Sequence, residues 1–183
     1  MPTPRFLWKK KLSPVHLYDN MTTIIRRITL KDFVQPIVYC GRCPTEAEGS
    51  FQVYTLVDNN VNTTIVDIQK LENKDKESAL KTYIKIFQRV GTGEPLKDMF
   101  DGTQYHQGHN FSYKGNPISI WRLWLAGDIR VYFIFQDKNI LILKTLAKRK
   151  DDLSQAEKKH LEDIVKKFID CQKNNQVHIE DKS

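Results

Sequence analysis

Three short apolar segments joined by tight turns constrain this chain more than any other feature. Residues 118–125, 129–135 and 140–146 are rich in β-branched and aromatic side chains, which favour strands. Turn-forming residues at 126–128 and 136–139 separate them. Because such short links join antiparallel neighbours, the sequence predicts a three-stranded meander.

Amphipathic segments on both sides of the meander predict helices. Residues 75–90 repeat apolar side chains at helical spacing and stop at Gly91. After the meander, Ser154 and Glu157 have the spacing of a capping box ahead of a second apolar stripe. The segment 61–71 is ambiguous, because its threonines favour a strand while its apolar residues lie on one helical face.

The remaining segments predict less regular structure. Residues 51–57 alternate as a strand does. Residues 96–117 are rich in Gly, Asn, Asp and His, and they predict a loop with a short edge strand at 110–113. Beyond Cys171 the tail is polar, and we expect it to be frayed.

The net charge of +7 comes mostly from the amino-terminal part of the chain. Residues 1–35 hold seven basic and two acidic residues, and this excess favours a polyanionic partner. No run approaches the roughly 20 consecutive apolar residues that cross a bilayer. No apolar stretch follows the basic residues at the start. We therefore expect a cytoplasmic protein without a membrane partner.

The three cysteines favour a reducing compartment. Cys40 and Cys43 form a lone CxxC, and Cys171 lies far from them in sequence. A structural zinc site usually takes four ligands, and no second CxxC or HxxxH is present to complete one. The expectation is a pair of free thiols in a loop, with neither a metal ion nor a cofactor.

Basic and aromatic residues concentrate on and around the predicted meander. Alternation places Arg122 and Trp124 on one face of the first strand, and Arg130 and Tyr132 on one face of the second. The basic set is Arg122, Arg130, Lys144, Lys148, Arg149 and Lys150, with Trp121, Trp124 and Tyr132 nearby. Cations that neutralise phosphate beside rings that stack on bases are typical of single-stranded RNA binding. A basic run at a strand end is also a common solvated edge, so both interpretations stay open.

The histidines and the short catalytic motifs indicate less about function than the basic and aromatic residues do. His106 and His109 are three residues apart in a Gly-rich segment, where no regular face brings them together. His160 follows the capping box, and we expect it to face solvent. No GxSxG, HExxH, Walker loop or GxGxxG occurs. The easily recognised hydrolase, zinc-protease and nucleotide-binding classes are therefore excluded.

The order of these elements resembles the RelE/ParE toxin superfamily, in particular its RelE and HigB-like ribonuclease branch. The resembling residues are 93–96, 120–123, 127–133, 139–144 and 147–150. The resemblance implies an α+β fold in which a small antiparallel sheet carries two packed N-terminal helices and a closing C-terminal helix. It makes 61–71 the first of those helices. It also divides the chain into a basic N-terminal extension at 1–49, a toxin domain at 50–171 and a polar tail at 172–183.

The resemblance also implies a function. Proteins of this branch enter the ribosomal A site, cut mRNA without a metal ion, and are held inactive by a cognate antitoxin. They contact DNA only through the antitoxin complex. Basic residues of the branch surround the scissile phosphate, and their positions correspond here to Arg122, Arg130, Lys148 and Arg149. This chain departs from the branch by having Lys144 where a histidine is common, and by having no tyrosine soon after the basic pair.

The departures leave the proton carriers open. Cleavage of RNA needs a base for the 2′-OH, cations for the dianionic phosphorane, and an acid for the 5′-oxygen. Lys144 or Lys148 can carry a proton if neighbouring cations crowd its ammonium group. His106, His109 and Tyr132 are the other candidates.

Two alternatives to the ribonuclease come from other classes. A gyrase-poisoning toxin of the ParE branch resembles the same pattern but binds a protein and performs no chemistry. A non-catalytic module that binds nucleic acid or a protein partner also fits, because the usual histidine or tyrosine is missing. Basic residues clustered around the sheet favour the nuclease.

Overall fold

The computed structural model describes residues 22–29, 32–33, 51–136, 138–148 and 152–180. The strands in this part of the chain are β1 (Thr23–Ile28), β2 (Gln52–Asp58), β3 (Val61–Asn62), β4 (Tyr105–Tyr113), β5 (Asn116–Leu123), β6 (Ile129–Gln136), β7 (Asn139–Ala147) and β8 (Val177–Glu180). The helices are α1 (Thr63–Gln69), α2 (Asn73–Val90), α3 (Leu96–Met99) and α4 (Gln155–Lys173).

The strands form one eight-stranded mixed sheet in the order β4-β5-β6-β7-β2-β1-β8, with β3 paired to β2. Strands β4 to β7 are antiparallel neighbours, which confirms the predicted meander and extends it by one strand. Two pairs are parallel: β2 with β7, and β1 with β8. After β3 the chain therefore passes through α1, α2 and α3 to β4 at the edge of the sheet, and the strands β4 to β7 bring it back to β2.

The predicted fold class, a small antiparallel sheet with two N-terminal helices and a closing helix, is wrong. The sheet is larger and mixed, and strands precede α1 and α2 in the chain. Pairing between distant segments leaves no local signal, so the parallel pairs were missed. Strand β4 was hidden because glycine, histidine and asparagine in its sequence are typical of a loop.

Two strands lie in segments predicted to be an extension and a tail. Strand β1 pairs with β2 over Ile24–Ile28, and β8 pairs with β1 from Val177 to Glu180. Across the parallel pair, Nη2 of Arg26 lies 2.6 Å from Oε2 of Glu180. This part of the amino-terminal segment therefore belongs to the sheet.

The segment 61–71, which was ambiguous from sequence, is mainly helical, because α1 covers Thr63–Gln69. The side chain of Asn62 caps the helix, because its Oδ1 accepts the N–H groups of Thr64 at 2.9 Å and Ile65 at 3.2 Å. The Thr64 hydroxyl lies 2.7 Å from that of Thr55 on β2. Cross-element hydrogen bonds and a cap thus override the β-propensity of the threonines.

Helix α4 begins as predicted. Ser154 and Glu157 form a capping box, in which each side chain meets the other residue's backbone N–H. Helix α2 ends at the predicted Gly91, which is its C-cap. No helix in the described ranges is long and apolar enough to cross a membrane.

Apolar clusters cover both faces of the sheet. Residues 129, 131 and 133 of β6 join the cluster that includes Tyr83 and Phe87 of α2. Residues 132 and 134 join the opposite cluster, which includes Leu161, Val165 and Phe168 of α4. The predicted alternation is confirmed, and α4 lies on the face that carries Tyr132.

Candidate nucleic-acid interface

A row of four chemistry-bearing residues crosses β4, β5, β6 and β7. His106 is the cross-strand partner of Arg122, Arg122 of Tyr132, and Tyr132 of Lys144. Residues directly opposite in a regular antiparallel pair have their Cβ atoms about 4.5–5.5 Å apart on one face. The register shifts between Tyr132 and Phe133, so a bulge lies beside the pair of Tyr132 with Lys144. We call His106, Arg122, Tyr132 and Lys144 the cross-strand row.

Gly108 lets β4 approach this row closely. A Cβ at Gly108 would lie 3.2 Å from the Cβ of Arg122 and 3.3 Å from Cε1 of Tyr132. The pairing register shifts between Gln107 and His109, so a β-bulge lies at this point. The glycine and the bulge together bring His106 and its strand against Arg122 and Tyr132.

Arg130 and Trp124 lie beside the cross-strand row, two residues from Tyr132 and from Arg122 respectively. The Cζ atom of Arg130 lies 4.2 Å from the centroid of the Trp124 ring. Arg130 is two residues before Tyr132 on β6, and Arg122 is opposite Tyr132 on β5. The two arginines are therefore diagonal neighbours, with Cα atoms about 7–8 Å apart.

The row is covered. Arg122 is 6% exposed, Arg130 4% and Tyr132 0%. Tyr132 belongs to the same apolar cluster as Leu161 and Val165 of α4. Only Trp124, at 36% exposure, reaches the surface strongly. The interface therefore consists of buried cations beneath one exposed ring.

The two lysines predicted as proton carriers are both ion-paired. Nζ of Lys144 lies 2.5 Å from Oδ1 of Asp67 on α1. Nζ of Lys148 lies 2.7 Å from Oε2 of Glu157 at the start of α4. Carboxylates thus contact both ammonium groups, whereas the hypothesis of a lysine proton carrier depends on crowding by other cations.

Glu157 takes part in both the capping box and the ion pair. Burial acts to raise the pKa of Glu157, but hydrogen bonds from Lys148 and Ser154 outweigh it and hold the pKa below its ordinary value. The same carboxylate accepts the Ser154 backbone N–H at 2.6 Å. It therefore ties the end of β7 to the beginning of α4.

His109 connects β4 to α4 and lies opposite Ile120, two residues along β5 from Arg122 of the cross-strand row. Its Nε2 lies 2.9 Å from Oε1 of Glu162, and its ring stacks on Phe111. Further along, the Tyr113 hydroxyl donates to Asp170 at 2.8 Å. His106 is the histidine that the register places opposite Arg122.

The other predicted site residues do not join the row. Trp121 lies on the opposite face, where it stacks on Tyr105 with 4.8 Å between ring centroids. Arg149 and Lys150 lie outside the described residues, as do Cys40 and Cys43. Of the predicted set, the structure therefore brings together Arg122 of β5, Arg130 and Tyr132 of β6, and Lys144 of β7, with Trp124 directly after β5.

Several neighbours of the site were missed from sequence. Asp67 on α1 is 77 positions from Lys144, and Glu157 on α4 is nine positions from Lys148. Nothing in the sequence marks either carboxylate as the partner of its lysine. Asp67 and Lys144 also line a cleft of about 590 Å³ between the α1–α2 corner and the end of β7. His106 was already a candidate from sequence, but its place opposite Arg122 depends on β4, whose sequence is typical of a loop.

No protein-family model, curated protein or solved structure matches this chain. The functional assignment therefore depends on the geometry of the interface and on the RelE/ParE resemblance of its residues.

Proposed function

We propose that this chain is an RNA endonuclease of the RelE/ParE toxin type, which cleaves mRNA without a metal ion and so inhibits translation. The observation that carries the proposal is the diagonal pair Arg122 and Arg130, with Tyr132 between them and His106 opposite Arg122. Two guanidinium groups suit the bidentate recognition of phosphate. The imidazole and the phenol are groups that can move protons.

The chemistry is an attack of the RNA on itself. A base takes the proton of the 2′-OH, and the 2′-oxygen forms a bond to phosphorus. The bond from phosphorus to the 5′-oxygen then breaks, and an acid protonates that oxygen. The products are a 2′,3′-cyclic phosphate and a 5′-OH end. Arg122 and Arg130 stabilise the dianionic phosphorane between these steps, and His106 is the nearest candidate in register for the base.

Burial of the arginines sets a condition on this mechanism. At 6% and 4% exposure, Arg122 and Arg130 meet a phosphate only when the face that covers them opens. Trp124 lies at the exposed margin of that face. RNA binding at Trp124 is therefore the step that precedes contact with the guanidinium groups.

The partners follow from the resemblance and are part of the proposal. They are mRNA in the ribosomal A site and a cognate antitoxin protein, with DNA contacted only through the antitoxin complex. A role on translated mRNA places the protein in the cytoplasm. Basic residues in the amino-terminal segment add long-range attraction to RNA.

Arginine-to-lysine variants test the proposal, because they keep the charge and remove the bidentate geometry. Arg122→Lys and Arg130→Lys are each expected to slow cleavage of end-labelled RNA by about 30-fold to 1,000-fold, with EDTA present and with or without ribosomes. Arg89→Lys is the matched control, since Cζ of Arg89 lies 4.6 Å from the Phe100 ring centroid, away from the row. It should cleave at the wild-type rate.

Three results would count against the proposal. Both lysine variants cleaving normally would remove the diagonal pair from the mechanism. A wild-type protein that cuts no RNA, even on ribosomes, would exclude a nuclease. Double-strand DNA breaks in cells whose mRNA stays intact would indicate the gyrase-poisoning alternative.

The burial of Arg122 and Arg130 also favours a second candidate, a non-catalytic RNA-binding module. In that case the exposed Trp124 contacts RNA while the guanidinium of Arg130 supports the ring, and no opening of the face is needed. Binding of RNA without cleavage under all conditions, including on ribosomes, would identify this candidate.

A further inference from the structure

Trp124 is an exposed aromatic side chain with a fixed orientation. It is 36% exposed, and among the described residues the other exposed large apolar side chain is Val61 at 46%. Val61 lies on the short strand β3, away from the cross-strand row. A single exposed apolar side chain is common on protein surfaces, but this ring lies against the guanidinium of Arg130, so the surface here offers a flat ring beside a cation.

Three contacts hold the indole in place. The backbone N–H of Trp124 donates to the Gln104 carbonyl at 2.8 Å, and the indole N–H donates to the Gly127 carbonyl. The Arg130 guanidinium lies against the ring. Because the ring is already ordered, a ligand that stacks on it meets little of the usual entropy cost.

The turn that orients the indole is itself fixed against α2. Gly127 has a φ of +53°, and a Cβ there would lie 2.9 Å from the Ser78 hydroxyl oxygen. Glycine adopts this backbone conformation without strain and leaves room for the Ser78 side chain. The carbonyl that receives the indole N–H is therefore held in position by the packing of the turn on α2.

We infer that Trp124 stacks on an unpaired nucleobase of single-stranded RNA and thereby holds the adjoining phosphate at the margin of the face that covers Arg130 and Arg122. The inference rests on the proposed function and names the part of the RNA that Trp124 binds. One side of the ring contacts a guanidinium, and a base can stack on the remaining exposed surface. A nucleotide combines a flat ring with an anion, which matches an indole beside cations. Purines, with the larger ring, should bind more tightly than pyrimidines.

Binding measurements with uncleavable oligonucleotides test the inference. The probes are a fully 2′-O-methyl RNA strand and a strand of the same length and charge that carries abasic units. Fluorescence anisotropy with the full-length protein should show that Trp124→Ala weakens binding of the base-containing strand by about fivefold to 100-fold. Binding of the abasic strand should stay unchanged. Trp124→Phe should keep part of the affinity, and Val61→Ala should equal the wild type for both strands.

The outcomes separate this inference from the proposed function. If the Trp124→Ala variant binds and cleaves RNA as the wild type does, the inference is overturned and the proposed nuclease function stands. If Trp124→Ala weakens the binding of both oligonucleotides equally, the inference is also overturned, because Trp124 then supports the cationic surface and does not contact a base. If the wild-type protein binds neither strand and cuts no RNA, the proposed function and the inference both fail. Circular dichroism and thermal midpoints of each variant exclude misfolding as the cause.

Discussion

The carboxylate of Asp67 accepts the backbone N–H of Thr145 at 3.0 Å, although the two residues are 78 positions apart. Strand β2 pairs with β7 only as far as Ile142. Beyond that residue β7 has lost this neighbour, and the Asp67 side chain on α1 takes up a hydrogen bond that a strand would have accepted. The other oxygen of Asp67 pairs with Lys144. One buried side chain thus joins α1 to the strand that carries the end of the row.

Removing Asp67 should destabilise the fold. Asp67→Ala leaves the Thr145 N–H without its acceptor and Lys144 without its counter-ion, and we expect a loss of about 2–4 kcal/mol in the free energy of unfolding. Asp67→Asn should cost less, because the amide oxygen still accepts the N–H. Urea denaturation measures both. Asp163→Ala, at an exposed position on α4, should change the free energy by about 0.5 kcal/mol or less.

The two histidines of β4 should differ in their effect on cleavage. His106→Ala removes the imidazole opposite Arg122, and the cleavage rate should fall by about 100-fold or more. His109→Gln breaks the contact with Glu162 on α4 and should leave the rate nearly unchanged. Initial rates on the same RNA compare them. A normal rate in His106→Ala would exclude it as the base and return attention to Tyr132.

Glu162 should make stability depend on pH in the acidic range. Hydrogen bonds from Lys166 and His109 hold the pKa of Glu162 below its ordinary value. The ordinary value is about 4.3, so the stabilisation is complete above that pH and is lost as the pH falls through the lower, folded-state pKa. Denaturation from about pH 6 to about pH 3 should show a smaller loss of stability in Glu162→Gln than in the wild type. A parallel decline in both would show that the contacts of Glu162 contribute nothing to acid sensitivity. Glu94→Gln, at an exposed position, provides the control.

Gly127 should be intolerant of a side chain. Gly127→Ala places a Cβ at a φ of +53° and within 2.9 Å of the Ser78 hydroxyl oxygen. Backbone strain and the close contact together should lower the free energy of unfolding by about 1–3 kcal/mol. Gly102→Ala is the matched control, because a Cβ there has nothing within 4 Å. Thermal unfolding of the two variants should therefore differ clearly, and equal midpoints would contradict the fixed turn.

The parts of the fold that sequence predicted correctly depend on neighbours in the chain. The turn at 126–128 is short enough to make β5 and β6 antiparallel, and Ser154 with Glu157 marks the start of α4. Alternation correctly placed Arg130 and Tyr132 on the face opposite Val131. These signals act over a few residues, so no knowledge of the rest of the chain is needed.

The candidate site was predicted in its residues but not in its environment. Arg122 and Arg130 share a face as alternation indicated, yet their burial could not be read from a strand that alternates. The carboxylates beside Lys144 and Lys148 come from α1 and α4. These carboxylates approach the lysines because of the way the helices pack on the sheet. The proton-carrier role assigned to the lysines from sequence therefore did not take the carboxylates into account.

By itself the sequence determined the meander, the two long helices and the gathering of basic and aromatic residues on β5 and β6, because tight turns, caps and periodicity are local properties of the chain. Only the tertiary structure decided the parallel pairing of β2 with β7, the place of β1 and β8 in the sheet, and the burial of Arg122, Arg130 and Tyr132. Arg26 and Glu180, which are paired across β1 and β8, are 154 positions apart. Such contacts form because they bury apolar surface and satisfy backbone groups across the whole sheet, and no short stretch of sequence encodes that sum.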